Sequence, residues 1–189
     1  MTKEAMELHD ANNELLGHWT LDVYEGDIRR ERLPFRQRAW NLVADARWKL
    51  LRRPSSHYHR GRVLNPLVET ITGTNLVTTV GKQLILDRLF GLSAVGAMTR
   101  TGVGTSNTAA AVGNTSLTGG VFVAYDSTPT RSSLTVTTVT TFGTGTANIV
   151  WAELGMDNGT TLLNRIAPIG PFTKTSAVSI IVTVTLTQA

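Results

Sequence analysis

The C-terminal stretch Ser176–Gln188 (SAVSIIVTVTLTQ) is the strongest local indicator of the fold. Apolar and polar residues alternate in it, which is typical of a β-strand with one buried face. One face would carry Val178, Ile180, Val182, Val184 and Leu186, and the other Thr183, Thr185 and Thr187. The threonine face carries little charge to protect a sheet edge, so we expect this strand to be open to another subunit.

Shorter stretches extend the β pattern outward from this strand. They are Gly119–Tyr125, Arg131–Phe142, Ala147–Met156 and Thr160–Ile166. Between the last two, Asp157-Asn158-Gly159 predicts a tight hairpin, because an Asn-Gly pair supplies positive φ angles. His18–Tyr24 alternates cleanly but is short, so it predicts an edge strand. Together these stretches predict a mainly β protein, an antiparallel β-sandwich of jelly-roll-like type.

One short helix is expected within the β region. In Val80–Leu92, apolar residues recur at helical spacing, and Gly91 is a stop signal. The residues expected to face the core are Leu84, Ile85, Leu89 and Phe90.

A basic segment divides the chain. Ile28–Arg62 contains eleven Lys and Arg against two acids, a net charge of +9, whereas Val63–Ala189 has a net charge of +1. We therefore expect an N-terminal basic arm over residues 1–62 and a β-sandwich over residues 63–189 that folds without the arm. Within the arm, Phe35–Arg53 predicts a helix between Pro34 and Pro54. Its apolar stripe is Trp40, Val43, Ala44, Trp48 and Leu51.

Three sequence blocks together resemble a known class of protein. They are NLVTTVGKQLILDRL (Asn75–Leu89), TGVGTSNTAAAVGNTSLTGG (Thr101–Gly120) and the stretch Ala147–Ala189 with its E-x-G…D-x-G…L-x-R hairpin, matched loosely in spacing. The combination is similar to small virion proteins of tailed bacteriophages, described as tail, collar or fibre-associated structural proteins. The resemblance covers about 60% of the chain. It implies a virion component made in the bacterial host cytoplasm. The pattern begins with an N-terminal G-x-W-like strand, which this chain also has. The basic segment departs from the pattern, in which that first strand usually reaches the Asn-Leu-Val strand by a shorter path.

The sequence offers little catalytic chemistry, so we expect no enzyme and no cofactor. There is no cysteine, and the four histidines all precede Val63. Gly102-Val103-Gly104-Thr105 lacks the rest of a phosphate-binding loop and predicts a turn. Glu153 and Asp157 would have to converge for paired-carboxylate catalysis. His57 and His59 are two residues apart, so on an extended chain their imidazoles would project to the same side and could both bind a metal ion. The neighbouring arginines would repel a cation, so no metal site is expected.

The basic arm admits three interpretations. Its charge and aromatic residues suit packaged DNA, an anionic membrane surface, or docking on protein neighbours. The resemblance favours docking, and no secretory signal or membrane span is expected. The residues expected to dock are Arg29, Arg30, Arg36, Arg38, Trp40, Arg47, Trp48, Arg52 and Arg53.

The expected function follows from this preference. We expect a homo-oligomeric component of the virion tail or neck that contacts other virion proteins. Capsid decoration is the alternative, since a small β protein could also cement the head shell. A host-glycan-binding module is a lesser alternative, which would require exposed aromatic residues. The main ones in the β region are Phe122, Tyr125, Phe142, Trp151 and Phe172.

Overall fold

The computed structural model describes residues 15–30, 63–92 and 96–188, together with Arg36 and Ala39. Strands dominate this part of the chain, and one short helix with defined bounds lies between the second and third strands. In chain order the elements are β1 Leu15–Glu25, β2 Leu67–Val77, α1 Thr79–Phe90, β3 Arg100–Gly104, β4 Val121–Ala124, β5 Thr130–Ser132, β6 Thr135–Phe142, β7 Val150–Trp151, β8 Glu153–Asp157, β9 Leu162–Ile166, β10 Phe172–Thr173 and β11 Val178–Gln188.

Nine strands form one curled antiparallel sheet. Their order is β4-β3-β8-β9-β2-β1-β11-β6-β5, and β7 pairs separately with β10. Strand β2 is the corner, because Leu67–Asn75 pairs with β1 whereas Leu76 and Val77 pair with β9. The sheet folds over on itself there, and Thr140 Oγ1 of β6 donates to Thr101 Oγ1 of β3 across the interior, at 2.9 Å. The predicted mainly β, sandwich-like fold with one short helix is confirmed.

The core lies between the two halves of the curled sheet. The alternating residues of β11 bury Ile180, Val182 and Val184, as their period predicts. They are joined by buried apolar residues of other strands, namely Trp19, Leu21, Val23, Val103, Phe142, Leu154 and Met156. The rings of Phe142 and Trp151 meet edge-on, with centroids 4.9 Å apart. A single contiguous apolar core therefore joins strands from both ends of the chain.

The prediction of an edge strand at His18–Tyr24 is wrong. Strand β1 lies between β2 and β11 and is hydrogen-bonded to both along most of its length. The boundary at residue 62 therefore needs correction, since residues 15–25 of the expected arm form a central strand. Strand β11 is also central, so Thr183, Thr185 and Thr187 do not lie at an open edge of the sheet, and the prediction that this strand is open to another subunit is wrong. Alternation identifies strands but not their order in a sheet, which is why both assignments failed.

Three local predictions also change. Arg131–Phe142 is a hairpin rather than one strand, with Ser133 at φ 51° in the turn between β5 and β6. Gly102–Gly104 lies within strand β3 rather than in a turn, and Gly102 lies against the Phe122 ring, where a Cβ would fall 2.3 Å from Cε1. The predicted hairpin after Asp157 is present, but its loop is longer than two residues and positive φ occurs only at Gly159.

Helix α1 begins and ends where expected but does not bury the predicted face. Thr78 caps it, accepting from Gly81 N at 3.0 Å, and Gly91 ends it at φ 64°. Leu84 is buried, whereas Leu89 is 73% and Phe90 68% exposed. The helix contacts the sheet mainly through β9, so one side of its apolar surface stays open to solvent.

Strand β1 should be indispensable for folding. Leu21→Ala should lower the free energy of unfolding by about 2–5 kcal/mol, because it opens a cavity beside Ile180 and Val182. Thr20→Ala, one position away on the outer face, is the control and should cost under about 1 kcal/mol. Urea unfolding followed by circular dichroism measures both. A variant that lacks residues 1–62 should fail to fold, because it has lost β1. A cooperative melt of this variant would contradict the central position of β1.

Candidate docking surfaces

The basic segment is an insertion between two central strands. It leaves the sheet after β1 and returns at β2, and Arg30 pairs with Val63 in an isolated antiparallel bridge. Leu64 N also donates to Arg29 O at 2.8 Å. The two ends of the insertion are therefore held side by side at one end of the sheet, which we call the stem (residues 25–30 and 63–66).

Asn65 fastens the stem. Its Nδ2 donates to Glu25 O at 2.7 Å and to Asp27 O at 2.8 Å, and its Oδ1 accepts from Arg29 N at 2.6 Å. Thr144 Oγ1 donates to Asp27 Oδ1 at 2.5 Å, which ties the stem to the loop after β6. The stem is thus a defined structure, although composition alone gave no signal for Asn65.

Most of the predicted docking residues lie outside the described residues. Arg29 and Arg36 are exposed, Arg30 is half-buried, and Arg36 and Ala39 have helical backbone, as the predicted helix requires. The predictions for Arg38, Trp40, Arg47, Trp48, Arg52 and Arg53 fall outside the described part, as do those for His57 and His59. The structure therefore shows only where the basic segment begins, with Arg29 and Arg30 in the stem.

A second exposed surface lies at the opposite end of the sheet. We call it the helix patch, made of Leu86, Leu89, Phe90 and Leu92, which are 53% to 73% exposed. Strand β2 runs from the stem toward α1, and its register with β1 continues from Tyr24 to Gly17. At about 3.3 Å per residue this ladder separates the two surfaces by roughly 25 Å. The residues of the patch fall in the predicted helix Val80–Leu92, but two of them, Leu89 and Phe90, were expected to face the core.

The charged residues of the β8–β9 hairpin have a structural role. Glu153 of β8 and Arg165 of β9 form a fully buried ion pair, with Nε 2.5 Å from Oε2. Oε1 of Glu153 accepts from Thr118 N at 2.6 Å and from Ser106 N at 3.3 Å. The Arg165 guanidinium also donates to the carbonyls of Thr108 and Ala109. The pair therefore holds the loop 105–119 onto the sheet.

The other charged groups near the core are also engaged structurally. Arg100 donates two hydrogen bonds of 2.7 Å to the Asp157 carboxylate, and this pairing raises the pKa of Arg100. Glu153 and Asp157 therefore belong to separate ion pairs and do not converge on a shared position. Lys174 Nζ donates to Gly143 O and to Asn148 Oδ1, both at 2.8 Å, and burial lowers the pKa of this lysine.

Residues 15–30, 63–92 and 96–188 contain no group of three or more His, Asp or Glu side chains placed to hold a metal ion. Within the same part of the chain, no helix has the length and apolarity needed to span a membrane.

Comparisons with protein-family models, with curated proteins and with solved structures found no match to this chain. The fold and the two exposed surfaces therefore have to be interpreted from their own chemistry.

The buried ion pair should be sensitive to loss of one charge. Glu153→Gln leaves the buried Arg165 without its counter-ion and should lower the free energy of unfolding by about 3–5 kcal/mol. The matched control is Asp157→Asn, whose partner Arg100 is partly exposed, so the loss should be about 1 kcal/mol or less. Thermal and urea unfolding measure both changes. Equal losses in the two variants would show that burial does not distinguish the pairs.

The buried lysine should give a specific pH dependence. Because burial lowers the pKa of Lys174 below its ordinary 10.5, the unfolded chain binds more protons between those two values. The contribution of Lys174 to stability should therefore increase as pH rises through that window. Lys174→Met removes this dependence, so wild type should gain stability relative to the variant as the pH rises from below the lowered pKa toward 10.5. A difference that stays constant with pH would contradict this account.

Proposed function

We propose that this chain is a structural component of a tailed-bacteriophage virion, assembled as a homo-oligomer in the tail or neck. The observation that carries the proposal is that one β body presents two chemically different ends. A stem bearing a segment of net charge +9 lies at one end, and the exposed apolar side chains of the helix patch lie at the other. A body with two chemically different ends suits a part that joins unlike neighbours.

The two ends suit different partners. The basic segment matches an acidic surface on a neighbouring virion protein, because opposite charges steer and orient association. The helix patch is apolar, and surfaces of this kind are typical of permanent contacts between copies of one chain. We therefore assign the helix patch to a second copy of this chain and the basic segment to the particle.

Several observations weigh against the other interpretations. The two carboxylates considered for catalysis, Glu153 and Asp157, are held in separate structural ion pairs. Glycan binding would require exposed aromatic residues on the sheet. Phe142 and Trp151 are instead buried, and Phe122, Tyr125 and Phe172 are at most half-exposed. Capsid decoration remains the second candidate, since the same bipolar body could bridge capsomers. Copy number separates the two, because a tail or neck ring needs roughly six to eighteen copies per particle and decoration needs hundreds.

Charge reversal in the basic segment should prevent incorporation into particles. The variant Arg29→Glu, Arg30→Glu, Arg36→Glu and Arg38→Glu should lower the copy number per virion at least tenfold, because like charges would face the acidic neighbour. The matched control replaces the same four residues by Lys, which keeps the charge and should keep incorporation. Quantitative mass spectrometry of purified particles measures the copy number.

Truncation of the aromatic residues tests the contribution of packing in the same segment. Trp40→Ala with Trp48→Ala should raise the rate of dissociation from the particle, since a buried interface aromatic typically contributes about 2 kcal/mol or more, some 30-fold in affinity.

Particles made with and without DNA packaging distinguish docking on a protein neighbour from contact with DNA. Normal incorporation of the charge-reversed variant would remove the docking proposal, and loss of wild type from empty particles alone would assign the segment to DNA.

A further inference from the structure

Strand β2 has an open edge, although its position in the strand order is internal. Residues 69–75 pair with β1 on one side, whereas only Leu76 and Val77 pair with β9 on the other. Beyond β9 the chain follows β8 instead of β2, since Ile169 N donates to Ala152 O at 3.1 Å. Seven residues of β2 therefore belong to one hydrogen-bonded ladder, where a central strand belongs to two.

The open side of β2 presents the backbone groups of threonine residues. Thr78 N donates to Leu163 O at 3.1 Å and therefore points toward β9. Because backbone groups alternate in direction along a strand, those of Thr70, Thr72 and Thr74 point to the same side. The N–H and C=O groups of Thr70 and Thr72 have no hydrogen-bond partner there among residues 15–30, 63–92 and 96–188.

This edge lacks the usual protection against pairing with another strand. Proteins protect open edges with lysine, proline or a β-bulge. Residues 69–75 (ETITGTN) contain no lysine or proline, and their register with β1 is regular up to the bulge at Val68. Thr70, Thr72 and Thr74 are exposed. Strand β2 therefore has the open, threonine-rich edge that was predicted for β11.

A cavity of about 520 Å³ lies beside this edge. The residues that line it include Trp19, Ile71, Gly73, Ile166 and Ile169. The Trp19 ring lies across Gly73, where a Cβ would fall 2.6 Å from Cζ2, and its Nε1 donates to Thr74 O at 3.3 Å. An apolar side chain on a strand paired with β2 could therefore rest against the Trp19 ring.

The exposed threonines of the edge match those of a second copy of the chain. An antiparallel pairing around a two-fold axis at Thr72 brings Thr72 opposite its own equivalent and Thr70 opposite the second copy's Thr74. The outward N–H and C=O groups of the two strands are then in register. The sheet already contains such a threonine contact, since Thr135 Oγ1 and Thr187 Oγ1 of adjacent strands lie 3.0 Å apart. Cross-strand pairs of this kind stabilise a sheet.

The other face of β2 is complementary in the same register. Ile71 lies opposite the second copy's Gly73, so its side chain can enter the cavity there and contact the Trp19 ring. Glu69 is the only charged residue among residues 69–75 and lies opposite the second copy's Asn75, so like charges do not meet. Each copy thus supplies both a side chain and the cavity that receives it.

Antiparallel pairing also keeps the two basic segments apart. Pro66, the last residue of the stem, is six residues from Thr72, which is about 20 Å along the strand. The two stems would therefore lie roughly 40 Å apart, on opposite sides of the axis. This separation exceeds the Debye length of about 8 Å at physiological ionic strength, so two segments of net charge +9 repel each other little.

We propose that two copies of this chain pair antiparallel along residues 69–75 of β2, so that their sheets become continuous across a two-fold axis. The contact is separate from the helix patch and gives each copy a second surface for association with another copy. This inference does not depend on the proposed virion role.

Amide hydrogen exchange of the full chain, measured by NMR between about 5 μM and about 1 mM protein, tests the proposal. The outward amides of Thr70 and Thr72 should exchange fast in dilute protein and at least about tenfold more slowly as the dimer forms. The amides of Ile71 and Gly73 point toward β1 and should exchange slowly throughout, which makes them an internal control. Sedimentation of the same samples gives the fraction of dimer.

Either of two results would overturn the proposal. Fast exchange of Thr70 and Thr72 at every concentration would show that no strand pairs with this edge in the protein alone, and would assign the edge to a different protein. Slow exchange of both amides in samples that sediment as monomer would show that the edge is covered within one chain.

A charge placed on the two-fold axis provides a second test. Thr72→Lys puts two lysines opposite each other and should weaken the dimer roughly fivefold, seen as weaker protection of the Thr70 amide at equal concentration. The matched control is Thr72→Gln, whose side chain is long but uncharged and should leave the protection of Thr70 close to that of wild type. Circular dichroism checks that both variants are folded. Equal protection of Thr70 in the two variants would contradict the two-fold pairing.

Discussion

The fold depends on the position of strand β1 between two strands that are remote in sequence. β1 hydrogen-bonds to β11 at the C-terminal end of the chain and to β2 beyond the basic segment. Its inner face places Trp19, Leu21 and Val23 in the core beside Ile180 and Val182. Without β1 the sheet would be cut into two pieces with exposed apolar faces. The same position makes the basic segment an insertion with both ends fixed.

The other half of the sheet depends on a buried ion pair. Burying charge is costly unless the ions are paired and their remaining hydrogen-bonding capacity is used, and Glu153 and Arg165 meet both conditions. Their additional hydrogen bonds are to backbone groups of the loop 105–119, which lacks regular secondary structure. The hairpin motif therefore has a physical meaning, namely that a long loop is fastened to the sheet from inside.

Local patterns in the sequence predicted local structure well. The alternation in Ser176–Gln188 and the stop signal at Gly91 predicted β11 and the end of α1, because both depend on residues close together in the chain. Strand order was not predicted, since a period of two does not tell a central strand such as β1 from an edge strand. Composition predicted the basic segment but not the stem, because Asn65 acts through backbone groups 36 to 40 residues away.

The protein is a β body with the stem of the basic segment at one end and the apolar helix patch at the other. Amide hydrogen exchange of the protein, free and assembled in particles, tests this claim most directly. We expect assembly to slow exchange around the stem residues 25–30 and 63–66 and around α1, while the central strands β1 and β11 are protected equally in both states. Slower exchange confined to the middle of the sheet, or at one end alone, would contradict the account.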